Sequence, residues 1–115
     1  MKTKKACSPA RLARAYGRLR AQLQHVGWIS EGYVQDRGPG AGGPCYQWTR
    51  KVAGKTVSVA LSPEQFVWLQ QAIANWRALQ RTLQQMQRLS RAVLFTTLPH
   101  PPRRKRLSRK VLGLN

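Results

Sequence analysis

No glycine or proline interrupts the chain between Pro63 and Pro99, and this stretch limits the possible folds more than any other feature. Ser62 and Pro63, with Gln65 three residues after the serine, match a capping box. We therefore predict a helix that begins at Pro63 and continues to about Phe95. At 1.5 Å per residue it would be roughly 45–50 Å long, which is longer than a domain of 115 residues is wide.

The middle of the chain changes to β character, and three strands are predicted there. The first, 28–35, ends at the run 36–44, which is a loop because glycine and proline dominate it. The other two, 45–52 and 55–61, flank a two-residue turn with glycine in its second position.

The turn fixes the register of this hairpin. Pairing Val52 with Lys55 places Trp48 opposite Val59, and aromatic–aliphatic pairs of this kind stabilise neighbouring strands. The polar residues then collect on the other face. A shift by one residue would destroy that separation, so this register is expected.

A second helix is predicted at the N-terminus. Ser8 suits its N-cap, Pro9 its first position, and Gly27 its end. The residues of its apolar face recur every three or four positions: Leu12, Tyr16, Leu19, Leu23 and Val26. Three arginines cluster on a flank beside this face, and we interpret them as a solvated surface: Arg11, Arg14 and Arg18.

The long helix carries an apolar seam, defined as the residues that keep a heptad-like a/d spacing. Ser90 interrupts the pattern formed by Leu69, Ala72, Trp76, Leu79, Leu83, Met86 and Val93. The spacing predicts coiled-coil-like packing with another helix of this chain or of a second copy. Near its start, Val67, Trp68 and Ile73 make the helix apolar on nearly every side, so we expect burial against the hairpin.

These elements predict the α+β class: an N-terminal helix, a small three-stranded antiparallel sheet and a long C-terminal helix. We expect one domain over 8–98, preceded by a flexible basic N-terminus, 1–7. Prolines follow the helix, and the basic run beyond them cannot pack. We therefore predict that 99–115 is a disordered tail that orders only on a partner.

The charge is strongly unbalanced. The chain has twenty-one Lys and Arg residues but only three acidic residues, Glu31, Asp36 and Glu64, so its formal net charge is +18. Residues 65–115 contain ten basic residues and no acid. Such self-repulsion favours a polyanionic partner, of which nucleic acid is the commonest. The scarcity of carboxylates disfavours acid–base enzymes and acidic metal sites.

Four arginines of the long helix form what we call the arginine stripe: Arg77, Arg81, Arg88 and Arg91. On a helical wheel they lie within an arc of about 80°, roughly opposite the seam. No glutamate lies three or four residues away to neutralise them. Guanidinium groups bind phosphates bidentately, so the stripe predicts phosphate contacts; a solvated face that merely lacks acids is the alternative.

Further basic residues complete the predicted nucleic-acid site. Arg50, Lys51 and Lys55 belong to the hairpin. The tail cluster is expected to act as a tether. It consists of Arg103, Arg104, Lys105, Arg106, Arg109 and Lys110. No base-reading pattern is visible, so we expect salt-sensitive and weakly specific binding, to DNA more than to RNA.

Aromatic residues divide into two groups. Trp48, Trp68 and Trp76 lie on predicted inward faces and are expected in the core. Tyr33 and Tyr46, beside the glycine-rich loop, are the better candidates for stacking on a base.

Catalytic, metal and cofactor sites are not expected. Cys7 and Cys45 lack the spacing of a zinc site, and His25 and His100 stand alone. A phosphate loop at Gly54 needs an earlier glycine where Thr49 stands. The chain is therefore predicted not to be an enzyme. Without a secretory signal or a long apolar span, it is predicted to be cytoplasmic and not membrane-bound.

The hairpin and the following helix resemble a known family. The matching segments are 43–56 (GPCYQWTRKVAGKT), 61–65 (LSPEQ) and 73–77 (IANWR). They resemble a bacterial domain of unknown function that has a Gly-Pro-aromatic strand, an Arg/Lys-x-x-Gly-Lys-Thr turn and a long C-terminal helix. The resemblance covers about residues 20–95. It implies this architecture, a bacterial origin and a role near mobile elements, but no activity. Cys45 replaces the family's first aromatic residue, and the cysteine cluster of some relatives is missing here.

Two other functions stay open at this point. The long helix could serve as an oligomerisation or protein-interaction module, with a homodimer as one outcome. An RNA- or ribosome-associated role is the other, because composition does not distinguish RNA from DNA.

Overall fold

The computed structural model describes residues 8–40 and 45–115. The predictions for 1–7, including Cys7, and for the last part of the loop, 41–44, lie outside these residues. The chain divides into two compact units. The first combines the chain up to His25 with Arg81–Asn115, and the second is Val26–Gln80.

The α+β prediction is confirmed, with an N-terminal helix, a three-stranded sheet and a long helix. In chain order the elements are α1 (Pro9–Gln22), a 3-10 turn (Leu23–His25), β1 (Tyr33–Asp36), β2 (Tyr46–Val52), β3 (Lys55–Leu61), α2 (Pro63–Thr97) and α3 (Arg109–Leu112).

The sheet of the second unit is antiparallel in the order β1-β2-β3. The predicted register is confirmed, since Val52 pairs with Lys55 and Trp48 with Val59. Ala53 and Gly54 have φ of 50° and 81°. Two positive φ angles are what a type I′ hairpin turn requires, which explains why the two strands meet in this register.

The first strand is shorter than predicted because the chain before it is bonded elsewhere. The amide of Ser30 donates to the carbonyl of Ala72 on α2, at 3.2 Å. The side-chain Nδ2 of Asn75, on the same helix, donates to the carbonyl of Trp28 at 2.9 Å. These bonds attach the approach to β1 to the helix, so sheet pairing begins only at Tyr33.

The capping box at the start of α2 is confirmed. The amide of Gln65 donates to Ser62 Oγ at 3.1 Å, and the amide of Ser62 donates to Gln65 Oε1 at 2.9 Å. The helix continues to Thr97, two residues beyond the prediction. The two reciprocal hydrogen bonds between Ser62 and Gln65 therefore determine where this helix begins.

The second unit has its core where α2 meets the hairpin. Ala72 and Ile73 are buried, and the rings of Tyr46 and Phe66 lie 4.7 Å apart. The helix start is therefore buried against the hairpin, as expected, but only on one side. The inward position predicted for Trp68 is wrong. Val67 is 64% exposed and Trp68 56%, because three short strands cover only one side of a helix.

The first unit has Leu12 of α1 and Met86 of α2 as its buried apolar residues. The seam residues Leu83 and Val93 are half-buried. Within this unit the seam therefore faces the protein interior. The α-helix α1 ends at Gln22, earlier than Gly27, because its last turn tightens into a 3-10 helix.

The tail differs from the prediction at one point, where α3 forms a single helical turn. Ser108 Oγ accepts a hydrogen bond from the amide of Val111 at 3.1 Å. Gly113 ends the turn in the left-handed region, with φ 73°. A serine N-cap and a glycine C-cap thus order residues that composition alone assigned to a disordered tail.

Candidate nucleic-acid interface

The arginine stripe is exposed at all four positions. Arg77 lies in the second unit, whereas the other three, Arg81, Arg88 and Arg91, lie in the first. All four belong to α2, and the three in the first unit keep their predicted angular spacing along it. Their side chains can therefore reach an external anion.

Arg91 already has partners inside the protein. Its Nη2 donates to Gln87 Oε1 at 3.1 Å, one helical turn earlier. Its Nη1 donates to the main-chain oxygen of Gly113 at 3.4 Å. These bonds direct the guanidinium of Arg91 towards the C-terminal turn. Arg81 and Arg88 are therefore the better candidates in this unit for contact with an external anion.

Arg88 shares a groove with an arginine of α1 that sequence reasoning assigned to the solvated surface. The groove has a volume of about 350 Å³ and is lined by Ala15, Arg18, Leu19, Gln22, Gln85, Arg88 and Leu89. The position of Arg18 on the flank of the apolar face was the only available signal. That flank faces α2 only once the two helices pack together.

The three hairpin cations do not form one patch. Arg50 and Lys55 extend from the face that carries Trp48, whereas Lys51 extends from the opposite face, because side chains alternate along a strand. Arg50 is half-buried, with its guanidinium carbon 4.7 Å from the centroid of the Trp48 ring. Its Nε is buried and has no hydrogen-bond partner among the residues that the structure describes. Arg50 therefore packs against the protein, and Lys51 and Lys55 are the exposed hairpin cations.

The six cations of the tail are all exposed. Arg109 is restrained, since its Nη2 donates to the carbonyl of Leu114 at 3.0 Å and its Nε to Asn115 Oδ1 at 3.3 Å. Where the tail starts, the rings of His100 and Phe95 stack at 6.3 Å. The tail thus begins in contact with α2 and presents its basic residues outward.

The two tyrosines proposed for base stacking have different environments. Tyr33 is 55% exposed. Tyr46 packs on Phe66 in the core of the second unit. Of the two, Tyr33 is the side chain with a surface that a base could reach.

Across residues 8–40 and 45–115, no cluster of three or more His, Cys, Asp or Glu could hold a metal ion. In that same part of the chain, no helix has the length and apolar character needed to cross a membrane.

Comparison with known proteins adds no relative. No family model matches the chain, and no curated protein and no solved structure matches it significantly. The resemblance to the bacterial family therefore stays a prediction.

Proposed function

We propose that this protein binds nucleic acid, DNA in preference to RNA, through the phosphate backbone and with low sequence specificity. One observation carries the proposal: the first unit contains no acidic residue. Its N-terminal part has seven Lys and Arg residues and its C-terminal part nine, whereas Glu31, Asp36 and Glu64 all belong to the second unit.

The arrangement of these charges supports a phosphate partner. Arg81 and Arg88 are exposed on a rigid helix, and the six cations of the tail are exposed in the same unit. Like charges without acids between them repel one another, and a polyanion that neutralises them releases its counterions on binding. In the second unit, Arg77, Lys51 and Lys55 are proposed as additional phosphate contacts, whereas the packing of Arg50 on Trp48 favours a structural role.

The biological setting is proposed from the resemblance alone. It favours a bacterial protein that is accessory to a mobile element. That the protein is not an enzyme and is cytoplasmic is proposed from the sequence, not from the resemblance.

Fluorescence polarisation tests the proposal directly. The full chain is titrated into labelled DNA duplexes of about 20 base pairs with two unrelated sequences, and into an RNA duplex of the same length. We expect the two DNA affinities to agree within about threefold and RNA to bind more weakly. Absence of binding at low salt would contradict the proposal, and a preference for RNA would move it to the RNA-associated alternative.

A second candidate function, self-association, is favoured by a specific observation in the second unit. Trp28 and Trp68 are 75% and 56% exposed, and their ring centroids lie 6.4 Å apart. Val67 and Glu64 line a shallow hollow beside Trp68. An exposed apolar patch is typical of an interaction site, and a second copy meets the least repulsion here because all three carboxylates belong to this unit.

Light scattering separates the two functions. Self-association predicts a dimer of the full chain without DNA, which Trp68→Gln returns to a monomer. A monomer at all concentrations up to about 100 µM would reject it. A stable dimer that ignores added DNA would instead favour the interaction module over DNA binding.

A further inference from the structure

The groove between α1 and α2 in the first unit brings two cations together on rigid elements. Arg18 lies on α1 and Arg88 on α2, and both line the same groove. Each is carried by a helix rather than by a loop, so regular secondary structure positions the backbone of both arginines. The groove belongs to one compact unit.

The groove has apolar residues at its base and polar or charged residues at its rim. Leu19 and Leu89 are half-buried, whereas the two arginines are exposed. Two exposed glutamines, one from each helix, also line the groove: Gln22 and Gln85. Their amide groups can donate hydrogen bonds without adding charge. The rim thus offers guanidinium and amide donors above an apolar floor.

The first unit has no Asp or Glu side chain that could lie between these arginines. Two guanidinium groups at one groove therefore repel each other until an anion from outside bridges them. A volume of about 350 Å³ is at the lower end of the range for small-molecule sites, and it admits a phosphate with part of its sugar.

We propose that this groove is a phosphate-binding site for the nucleic-acid backbone, with Arg18 and Arg88 as its paired cations. This inference rests on the proposed function and extends it to α1, whose arginines were interpreted as a solvated surface. One backbone phosphate accepts from both guanidinium groups, and the glutamine amides contact its neighbouring sugar or phosphate oxygens. The helix pair then binds the backbone as a unit.

The other groove of this unit provides a matched control. It has a volume of about 440 Å³ and is lined by Ala13, Tyr16, Gly17, Arg20, Ser90 and Val93. Arg20 is exposed on the same helix as Arg18, but no arginine of α2 lines this second groove. Arg20→Gln therefore removes the same charge from α1 without removing a paired cation.

The test is a double-mutant cycle by fluorescence polarisation with a labelled duplex of about 20 base pairs at fixed salt. We expect R18Q and R88Q each to weaken DNA binding about five- to tenfold, and R20Q about twofold. The double variant R18Q/R88Q should lose less than the product of the single effects, because removing one cation already breaks the bridge. Far-UV circular dichroism confirms that each variant keeps its helices; should R18Q unfold, R18K takes its place with a smaller expected loss.

The outcomes separate this inference from the proposed function. In the first case the wild-type chain binds DNA while R18Q and R20Q lose equal affinity, or while the losses of R18Q and R88Q multiply in the double variant. Either result contradicts the phosphate site in the groove but leaves the proposed DNA binding intact. Failure of the wild-type chain to bind DNA overturns both.

Discussion

The guanidinium of Arg91 donates to the main-chain oxygen of Gly113, with 3.4 Å between Nη1 and that oxygen. Gly113 has a φ of 73°, and a Cβ atom at this position would lie 2.6 Å from Arg91 Cδ. The glycine thus allows both the left-handed turn and the close approach of the arginine. One arginine of the stripe holds the C-terminal turn against α2.

Arg91→Gln should loosen this turn. The substitution removes the hydrogen bond from the exposed Arg91 guanidinium to the oxygen of Gly113. Loss of such a bond should raise the equilibrium constant for local opening of the turn about two- to fivefold. We expect the amides of Val111 and Leu114 to exchange with solvent faster by that factor, measured by hydrogen exchange. Arg81→Gln, which removes the same charge from the same helix, is the control. Equal exchange in both variants would show that Arg91 does not hold the turn.

The capping box should contribute cooperatively to stability. Ser62→Ala removes the oxygen that accepts from the amide of Gln65, and loss of such a cap destabilises a protein by about 1 kcal/mol. Gln65→Ala removes the reciprocal acceptor for the amide of Ser62. Urea unfolding of the single and double variants measures the coupling. Strict additivity of the two losses would contradict a reciprocal box.

Arg50 and Lys51 should separate stability from binding. Arg50 packs over Trp48, and this cation–π contact contributes about 1 kcal/mol. Arg50→Gln should therefore lower the free energy of unfolding by about that amount, whereas Lys51→Gln, an exposed neighbour, should leave it within about 0.5 kcal/mol.

In DNA binding the order of these two variants should reverse, with the larger loss of affinity for Lys51→Gln. Urea unfolding measures the stability of each variant, and fluorescence polarisation on the same preparations measures its affinity for DNA. If Arg50→Gln weakens binding more than Lys51→Gln at unchanged stability, Arg50 is a phosphate contact after all.

Two apolar residues of α2 should differ sharply in their effect on stability. Ile73 is 4% exposed, and truncating a buried isoleucine to alanine costs about 2–5 kcal/mol. Trp68 is 56% exposed, so Trp68→Ala should cost less than about 1.5 kcal/mol despite its larger size. Thermal unfolding compares them. A larger loss for Trp68→Ala would mean that the indole is buried in the protein's solution state.

The features that could be predicted from the sequence are set by residues close together in the chain. The turn at Ala53 and Gly54 determines which residues of β2 and β3 pair, and Ser62 and Gln65 bond each other across one helical turn. In both cases the interacting groups are within a few residues. Local chemistry is therefore sufficient to place them.

The features that were missed depend on how distant elements pack. Trp68 looked like a core residue because the sequence does not show how much of α2 three short strands can cover. The shared groove of Arg18 and Arg88 arises only when α1 packs against α2. The turn at Ser108 and Gly113 carried a local capping signal, but the basic composition around it dominated the interpretation.

The salt dependence of DNA affinity tests the central claim most directly. For the full chain, the logarithm of the association constant is plotted against the logarithm of NaCl concentration between about 50 and 300 mM. The proteins compared are wild type, R81Q/R88Q and the control R11Q/R14Q, which removes the same number of charges from two exposed arginines of α1. Phosphate binding predicts a straight line with a slope of about −4 or steeper, and a slope smaller by about two for R81Q/R88Q. A wild-type affinity that hardly changes over this range would contradict the account.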